Sequence, residues 1–354
     1  MRKPRITVVG SFVVGLTIRL PRLPVLGESL FGDEYDLGPG GKGSNQAIAA
    51  ARLGADASLL ACVGDDLLAQ VAWDTFRREG IDPAHIREIP GVNTAVGVVQ
   101  LLPGDDNWIV GHLGANAHMR PEDVDAAAGA IAESDVVLMQ FETPAAVIRR
   151  TMELGRAHGV RTLWNPAPAR PVPPDLLGLA DILTPNQTEL RILLDLSPDD
   201  PTPDEDLARR LLDLGVRQLA VTRGASGALL VTAEGIAHVP SVAGLAVVDV
   251  TGAGDSFNAA LAVGLAEGLD LERAAARACC AGAFAVQRLG VIDGLPTRAE
   301  LDDFIATREH ERWVWIGQLG ARNCSATASA LSKTCSTTRC YSASAPSPPH
   351  RSPR

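Results

Sequence analysis

Residues 245–267 read Leu-Ala-Val-Val-Asp-Val-Thr-Gly-Ala-Gly-Asp-Ser-Phe-Asn-Ala-Ala-Leu-Ala-Val-Gly-Leu-Ala-Glu. A strand-like apolar run, Leu245 to Val248, leads into a turn with glycines at Gly252 and Gly254. An Ala- and Leu-rich stretch of helical character follows, from Phe257 to Glu267. The reading is one strand, one tight turn and one helix, and the same step recurs outward from here along the chain.

From residue 5 to about 305, short β-rich runs alternate with longer Ala- and Leu-rich segments. The runs are ITVV, SLLACV, VVLMQ, RTLWNP, QLAVT and ALLV, and the helical partners include Ser44 to Leu53, Ala145 to His158 and Leu207 to Leu214. Such alternation predicts a doubly wound α/β fold: a largely parallel sheet flanked by helices, with ligands gathered at the carboxyl ends of the strands. Two stretches break the rhythm. Thr17 to Leu37 is rich in Pro and Gly, and TAVGVVQLL with NWIVGHL forms a hairpin pattern around Pro103-Gly104-Asp105. Together, from about 15–40 and 93–113, they are expected to form a small β-sheet lid that keeps water from the reacting groups.

The chain has 354 residues, 46% hydrophobic content and a formal net charge of -10. That is ample for a globular core and argues against nucleic acid or an anionic membrane as partner, so any anionic ligand must be held locally. The basic start followed by ITVVGSFVVGL superficially resembles a signal peptide. Gly10, Ser11, Gly15 and Arg19 interrupt the apolar run, and a cytoplasmic protein is expected. Cys62, Cys279 and Cys280 sit in apolar or Ala-rich segments and are expected to be free buried thiols. The seven His form no metal-ligand pair. Residues 1–312 are read as one domain. The tail, 313–354, is dominated by Ser, Thr, Ala, Pro and Arg, has no acidic residue, and is expected to be disordered.

Two glycine-rich motifs carry the chemistry. In the first, the amides of Gly252, Ala253 and Gly254 stand before a helix, a setting suited to anionic oxygen, with Asp255 placed to accept the proton of an attacking hydroxyl. A Gly-rich loop with Asp255 as a mere helix N-cap fits the same letters. In the second, Gly38-Pro-Gly-Gly41-Lys42-Gly43-Ser44-Asn45-Gln46 opens a helix. It is not a phosphate-cradling P-loop, which would need Gly at Asp36 and Ser or Thr at Gly43. Its glycines are expected to admit a polyhydroxy ligand close to the backbone, with Lys42 and Asn45 offering hydrogen bonds. A flexible turn with a helix cap is the plainer alternative.

GGKGSNQA together with TGAGDSFNAA closely resembles the two signatures of the ribokinase (PfkB) family of sugar kinases. Asn165 to Arg170, Thr184 to Glu189 and MQFETP are similar to further segments of that family, in order along the chain. The resemblance implies a sugar lying under the lid against Gly41, Lys42, Gly43, Ser44, Asn45 and Glu142, its primary hydroxyl facing Asp255. It implies ATP as phosphoryl donor with Mg²⁺, ordered largely through water by Asn186 and Glu189, although Asn followed by Glu three residues on is equally a helix capping pair. Thr222, Arg223, Gly224, Ala225, Ser226 and Gly227 resemble the nucleotide-binding turn, and the segment around Cys279 the adenine wall. A homodimer through the lid is a further implication.

A monovalent cation, K⁺, is implied beside the anion hole at Asp249, Thr251, Ala285, Arg288, Gly290 and Gly294. Here Gly290-Val-Ile-Asp-Gly294 departs from the Gly-Ala-x-x-Ser-like turn of the family: Gly294 brings no side-chain oxygen, and Asp293 either compensates for it or disturbs the site. A second departure lies at Gly10 to Gly15. The family's sugar-clamping Asn and Asp are replaced by Val13 and Gly15, which make no side-chain hydrogen bond. Losing a charged hydrogen bond to a hydroxyl costs on the order of 1.5–3 kcal/mol. Ribose is the first expectation; deoxyribose, a ketohexose, a nucleoside, or a sugar-sensing protein without turnover remain alternatives.

Overall fold

A computed structural model describes residues 2–103 and 107–308; the hairpin tip at 104–106 and the tail from 309 lie outside the described residues. Thirteen strands are described: β1 Arg5–Val9, β2 Val13–Arg19, β3 Glu34–Gly40, β4 Asp56–Gly64, β5 Ile86–Ile89, β6 Val96–Leu101, β7 Asn107–His112, β8 Val136–Gln140, β9 Arg161–Asn165, β10 Ile182–Leu183, β11 Gln218–Thr222, β12 Ala228–Thr232 and β13 Gly235–Val239.

Nine of them form one sheet in the order β13-β12-β11-β10-β9-β8-β1-β4-β5. It is parallel from β5 to β11, and the β12–β13 hairpin adds an antiparallel edge. The chain leaves β1 to build β4 on one side and later returns to build β8 on the other. The order therefore reverses at β1, and a crevice opens beyond its carboxyl end.

Both faces of this sheet are dry, as the alternation of side chains shows. Ile6 and Val8 of β1, and Val136 and Leu138 of β8, point into one core beneath helices Lys42–Arg52, Ala253–Ala266 and Leu271–Ala285. Val9, Val137 and Met139 point into the other, against helix Ala145–His158. Near-continuous Val, Ile and Leu in these strands is what a doubly covered parallel sheet requires.

The expected lid is a separate four-stranded sheet, β3-β2-β6-β7, with β2 and β6 parallel and the outer pairs antiparallel. β2 starts four residues after β1 ends, and β3 runs into helix Lys42–Arg52. The lid thus rises from the carboxyl edge of β1. One row across it carries no side chains at all: Gly38, Gly15, Gly97 and Gly111 are successive cross-strand partners. Of the tryptophans, Trp164 is fully buried in the core and Trp108 stands exposed on the lid.

The opening segment is corrected in one part. Leu245 to Val248 is not a strand: Val247 and Val248 are exposed, at 63% and 53%. The N–H groups of Val248 and Asp249 both donate to the carbonyl of Val286, at 2.7 and 3.2 Å, and not to a sheet. The run is β-branched without a strand edge to join. Its helix begins earlier than Phe257, at Ala253, with Gly252 as N-cap in the left-handed region (φ 82°).

Candidate active site

Asp255 is the third residue of helix Ala253–Ala266 and only 5% exposed. It is not an N-cap, since Gly252 holds that place. Its two carboxylate oxygens are instead divided between two side-chain donors from the other motif. Asn45 Nδ2 donates to Oδ2 and Gln46 Nε2 to Oδ1, each at 2.9 Å. The two motifs, some two hundred residues apart in sequence, meet at this carboxylate. A buried carboxylate needs such donors to stay in place.

The turn before Asp255 is open. The first N–H groups of an α-helix have no acceptor within the helix, so they face outward with partial positive charge. A Cβ on Gly254 would meet nothing within 4 Å, whereas one on Gly252 would strike Val291 Cγ1 at 2.8 Å. The Ala253 N–H is directed in part to the carbonyl of Val250, at 3.3 Å. Space for an anionic group therefore lies over Gly254, one residue from the carboxylate.

The second motif is built around β1 and β8. Glu142, just beyond β8, accepts from the Ser11 hydroxyl and, at 2.9 Å, from the backbone N–H of Lys42. Burial pulls the Lys42 ammonium toward its neutral form, but the carboxylates of Asp255, Glu142 and Glu189 outweigh it and hold its pKa above the usual value. Glu189 is raised chiefly by desolvation and also by Asp255, against the Asn186 N–H and Lys42, which lower it. Lys42 therefore remains a cation in the field of three acids.

Several sequence-predicted residues are placed differently from expectation. Ser44 is fully buried and its hydroxyl donates to the carbonyls of Gly40 and Gly41, so it fastens the turn. A Cβ on Gly43 would come within 2.2 Å of Ser11 N, and one on Gly41 (φ 92°) within 2.8 Å of Val13 N. The backbone of residues 10–13 fills the Cβ direction of both glycines. Val13 and Gly15 lie in β2, opposite Gly40 and Gly38 of β3.

Asn186 and Glu189 form a reciprocal capping box at the start of helix Gln187–Leu193. Asn186 Oδ1 accepts from the Glu189 N–H and Glu189 Oε2 from the Asn186 N–H, both at 2.8 Å. Asn186 also bridges to Thr222, so the ends of β10 and β11 stand side by side. The Thr222–Gly227 segment is the β11–β12 turn, with Gly224, Ala225 and Ser226 exposed. The Arg223 side chain is tied down by Asp204 at 3.1 Å and Glu205 at 2.7 Å. Cys279 is buried in the core, and burial pushes its thiol up to about 12.

The cation positions converge as well. Asp249 Oδ1 accepts from the Thr251 N–H at 2.8 Å and Oδ2 from the Gly290 N–H at 3.1 Å. Gly294 approaches so closely that a Cβ would sit 3.0 Å from the Ala285 carbonyl oxygen. The Arg288 guanidinium instead stacks on Phe284 and pairs with Glu300 at 2.9 Å. Among the described residues, no group of three or more His, Cys, Asp or Glu converges as a metal cage.

Sequence reasoning named Gln46 only as part of a motif and gave no role to Gln140, Asn165, Thr184 or Asn258. All five are buried polar residues around Asp255. The available signal was a polar residue closing a buried apolar strand, Gln140 after VVLM and Asn165 after RTLW.

A buried carboxylate held by two donors, beside an open helix start and beneath a lid at the edge of a doubly covered sheet, can take a proton from a hydroxyl next to a place for an anion. The model of the pfkB family carbohydrate kinases matches residues 3–298, and the chain belongs to that family. It is an ATP-dependent carbohydrate kinase with the ribokinase-like fold. A ribokinase of Haemophilus influenzae is 35% identical over 305 residues, covering 86% of this chain and 99% of the relative. A deoxyribokinase of Salmonella typhi is 32% identical over 305 residues with the same coverage. The structure of Arabidopsis thaliana ribokinase complexed with ribose and ATP matches with a TM-score of 0.80 at 28% identity, over 86% of this chain and 99% of that one.

Proposed function

We propose that this chain transfers the γ-phosphoryl group of ATP to the primary 5-hydroxyl of a pentose, D-ribose in the first instance, with Asp255 as general base. The observation that carries the reading is the placement of Asp255: buried, held on both oxygens, and one residue from the open turn at Gly254. Asp255 takes the hydroxyl proton as the acceptor oxygen attacks the γ-phosphorus in line. The bond from that phosphorus to its bridging oxygen breaks and ADP leaves, while the amides of the 252–254 turn receive the negative charge on the transferring group.

Asn45 and Lys42 line the acceptor side. Asn45 Oδ1 is buried without a partner and is suited to accept from a sugar hydroxyl. Asn186, Glu189 and the Thr222–Gly227 turn line the donor side. Glu189 and Asn186 fit Mg²⁺ held mainly by ATP phosphates and water, a carboxylate and an amide oxygen being its usual outer partners. That ion would neutralise phosphate charge. Asp249, Thr251, Ala285, Arg288, Gly290 and Gly294 would offer K⁺ oxygens, partly as backbone carbonyls, while the Arg288 side chain is engaged by Phe284 and Glu300.

A second reading, another acceptor such as deoxyribose, is favoured by the lid. Val13 and Gly15 offer the acceptor no side-chain hydrogen bond, and Gly15 lies in the row with Gly38, Gly97 and Gly111. A coupled ADP-release assay with Mg-ATP across ribose, 2-deoxyribose, fructose and nucleosides separates the readings. Ribose turning over fastest is expected; a clear preference for 2-deoxyribose moves the assignment to the second. Replacing K⁺ by Na⁺ in the same assay is expected to slow turnover, and equal rates remove the cation site.

The lid also supports a homodimer. Tyr35 of β3 and Trp108, Ile109 and Val110 of β7 are 59–75% exposed, apolar side chains uncovered on both outer strands of the lid. Light scattering is expected to give twice the chain mass, and Trp108→Asp to halve it. An unchanged mass in that variant would place the interface elsewhere.

A further inference from the structure

We propose that Gln46 is the positioning residue of the catalytic base, clamping Asp255 through a closed ring of buried hydrogen bonds that also fixes the glycine turn before it. This deepens the reading of Asp255 as base and rests on it.

The ring can be followed bond by bond. Gln46 Nε2 donates one hydrogen to Asp255 Oδ1 at 2.9 Å and the other to Asn165 Oδ1 at 3.2 Å. Asn165 Nδ2 donates to the carbonyl of Thr184 at 2.9 Å, and the Thr184 hydroxyl donates to Asn258 Oδ1. Asn258 Nδ2 closes the circuit by donating to the carbonyl of Gly254 at 2.7 Å, the residue bonded to Asp255. Gln46, Thr184 and Asn258 are at most 1% exposed and Asn165 6%. Four elements are joined: helix Lys42–Arg52, the ends of β9 and β10, and helix Ala253–Ala266.

The orientation of Gln46 is set by Asp255, since a flipped amide would put oxygen against that carboxylate. Its Oε1 accepts from Gln140 Nε2 at 2.6 Å, so all of its amide is committed. Gln140 Oε1, without a partner of its own, lies 2.1 Å from where a Gly10 Cβ would stand. Asn45 differs. It holds the other oxygen of Asp255 through Nδ2, and its own Oδ1 has no partner, so that oxygen can accept from a ligand while the base stays held. Both donors hold the base, and Asn45 alone has an oxygen left for the acceptor.

A carboxylate rotates easily about its last side-chain bond. Held at Oδ1, it keeps one lone pair aimed at the incoming hydroxyl, and small misplacements of a reacting group are costly. Gln46 touches neither substrate in this scheme. Its loss should therefore appear in turnover and not in binding.

The test is Gln46→Met, which keeps the length and removes the donors. Expected is a fall in kcat of about 10- to 100-fold, the worth of a hydrogen bond to a charged group. The KM values for ATP and for the preferred sugar should stay within about twofold. Combined with Asp255→Asn, it should slow single turnover no further than Asp255→Asn alone, because two residues acting as a unit are not additive. A kcat within about twofold of the parent, or a full additional loss on top of Asp255→Asn, overturns the proposal. Should Gln46→Met not fold, Gln140→Met removes the outer donor and must give the same kcat-only loss; a loss in KM alone counts against the ring. The base assignment is judged separately, by Asp255→Asn alone: if that variant turns over normally the base reading fails, whereas a dead Asp255→Asn with a fully active Gln46→Met rejects only the positioning role.

Discussion

Asp255→Asn is expected to lower kcat by about 10³-fold, within the range for removing a general base, while leaving the protein folded. The structural reason for survival lies in Asn45. The new amide would set an NH₂ group against one of the two donors that now hold the carboxylate. Asn45 Oδ1 has no partner, so rotating the Asn45 amide by half a turn offers an acceptor to that NH₂ group. Gln46, committed on three sides, keeps its bond to the remaining oxygen. ATP binding, followed by calorimetry, should be little changed, because the proposed donor side at Asn186 and the Thr222–Gly227 turn is untouched. Turnover near that of the parent would remove Asp255 from the chemistry and leave the open turn to be explained by anion binding alone.

What the sequence discloses and what it hides follow from the range of the interactions involved. The α/β alternation is legible because each buried strand of a doubly covered sheet is a short apolar run, and ITVV, VVLMQ and QLAVT are all strands. The hairpin in the lid is legible from its turn residues. Leu245 to Val248 misleads because β-branched residues mark apolar contact as readily as a strand, and only the missing strand edge distinguishes the two. β10, with two residues, is too short to show a period, and the edge strands β5 and β13 have weak patterns. At the site, Asp255, Asn45 and Lys42 stand out because they sit in glycine-rich turns. The ring through Asn165, Thr184 and Asn258 is invisible, since the bonds that carry it between elements join residues 19, 74, 119 and 209 positions apart and no local pattern records them. The capping box at Asn186 and Glu189 shows the converse: the local pattern is fully realised, and any role toward ATP is additional to it.

The motif glycines divide into two kinds, and substituting one of each is expected to give stability changes of opposite sign. Gly43 is buried where helix Lys42–Arg52 begins against the end of β1. A Cβ there would lie 2.2 Å from Ser11 N, 2.6 Å from Gly10 C and 2.6 Å from Ser11 O. All three are backbone atoms at the reversal point of the sheet, so nothing nearby can swing aside. Gly43→Ala is expected to cost about 3 kcal/mol or more, at the upper end of overpacking, and to lower the thermal midpoint by about 5 to 10 °C. Gly254 is the contrasting case. It lies within helix Ala253–Ala266, is exposed, and has nothing within 4 Å of its missing Cβ. Gly254→Ala should stabilise the helix by about 0.5–1 kcal/mol, yet suppress turnover, because the methyl group would enter the space over the turn that we propose for the transferring phosphoryl group. Thermal unfolding of the two variants, followed by the ADP-release assay, decides the point. If Gly43→Ala unfolds at the parent temperature and instead raises the KM for the sugar, then its glycine serves the ligand after all. If Gly254→Ala turns over at the parent rate, the open space above the helix start is not where phosphate charge develops.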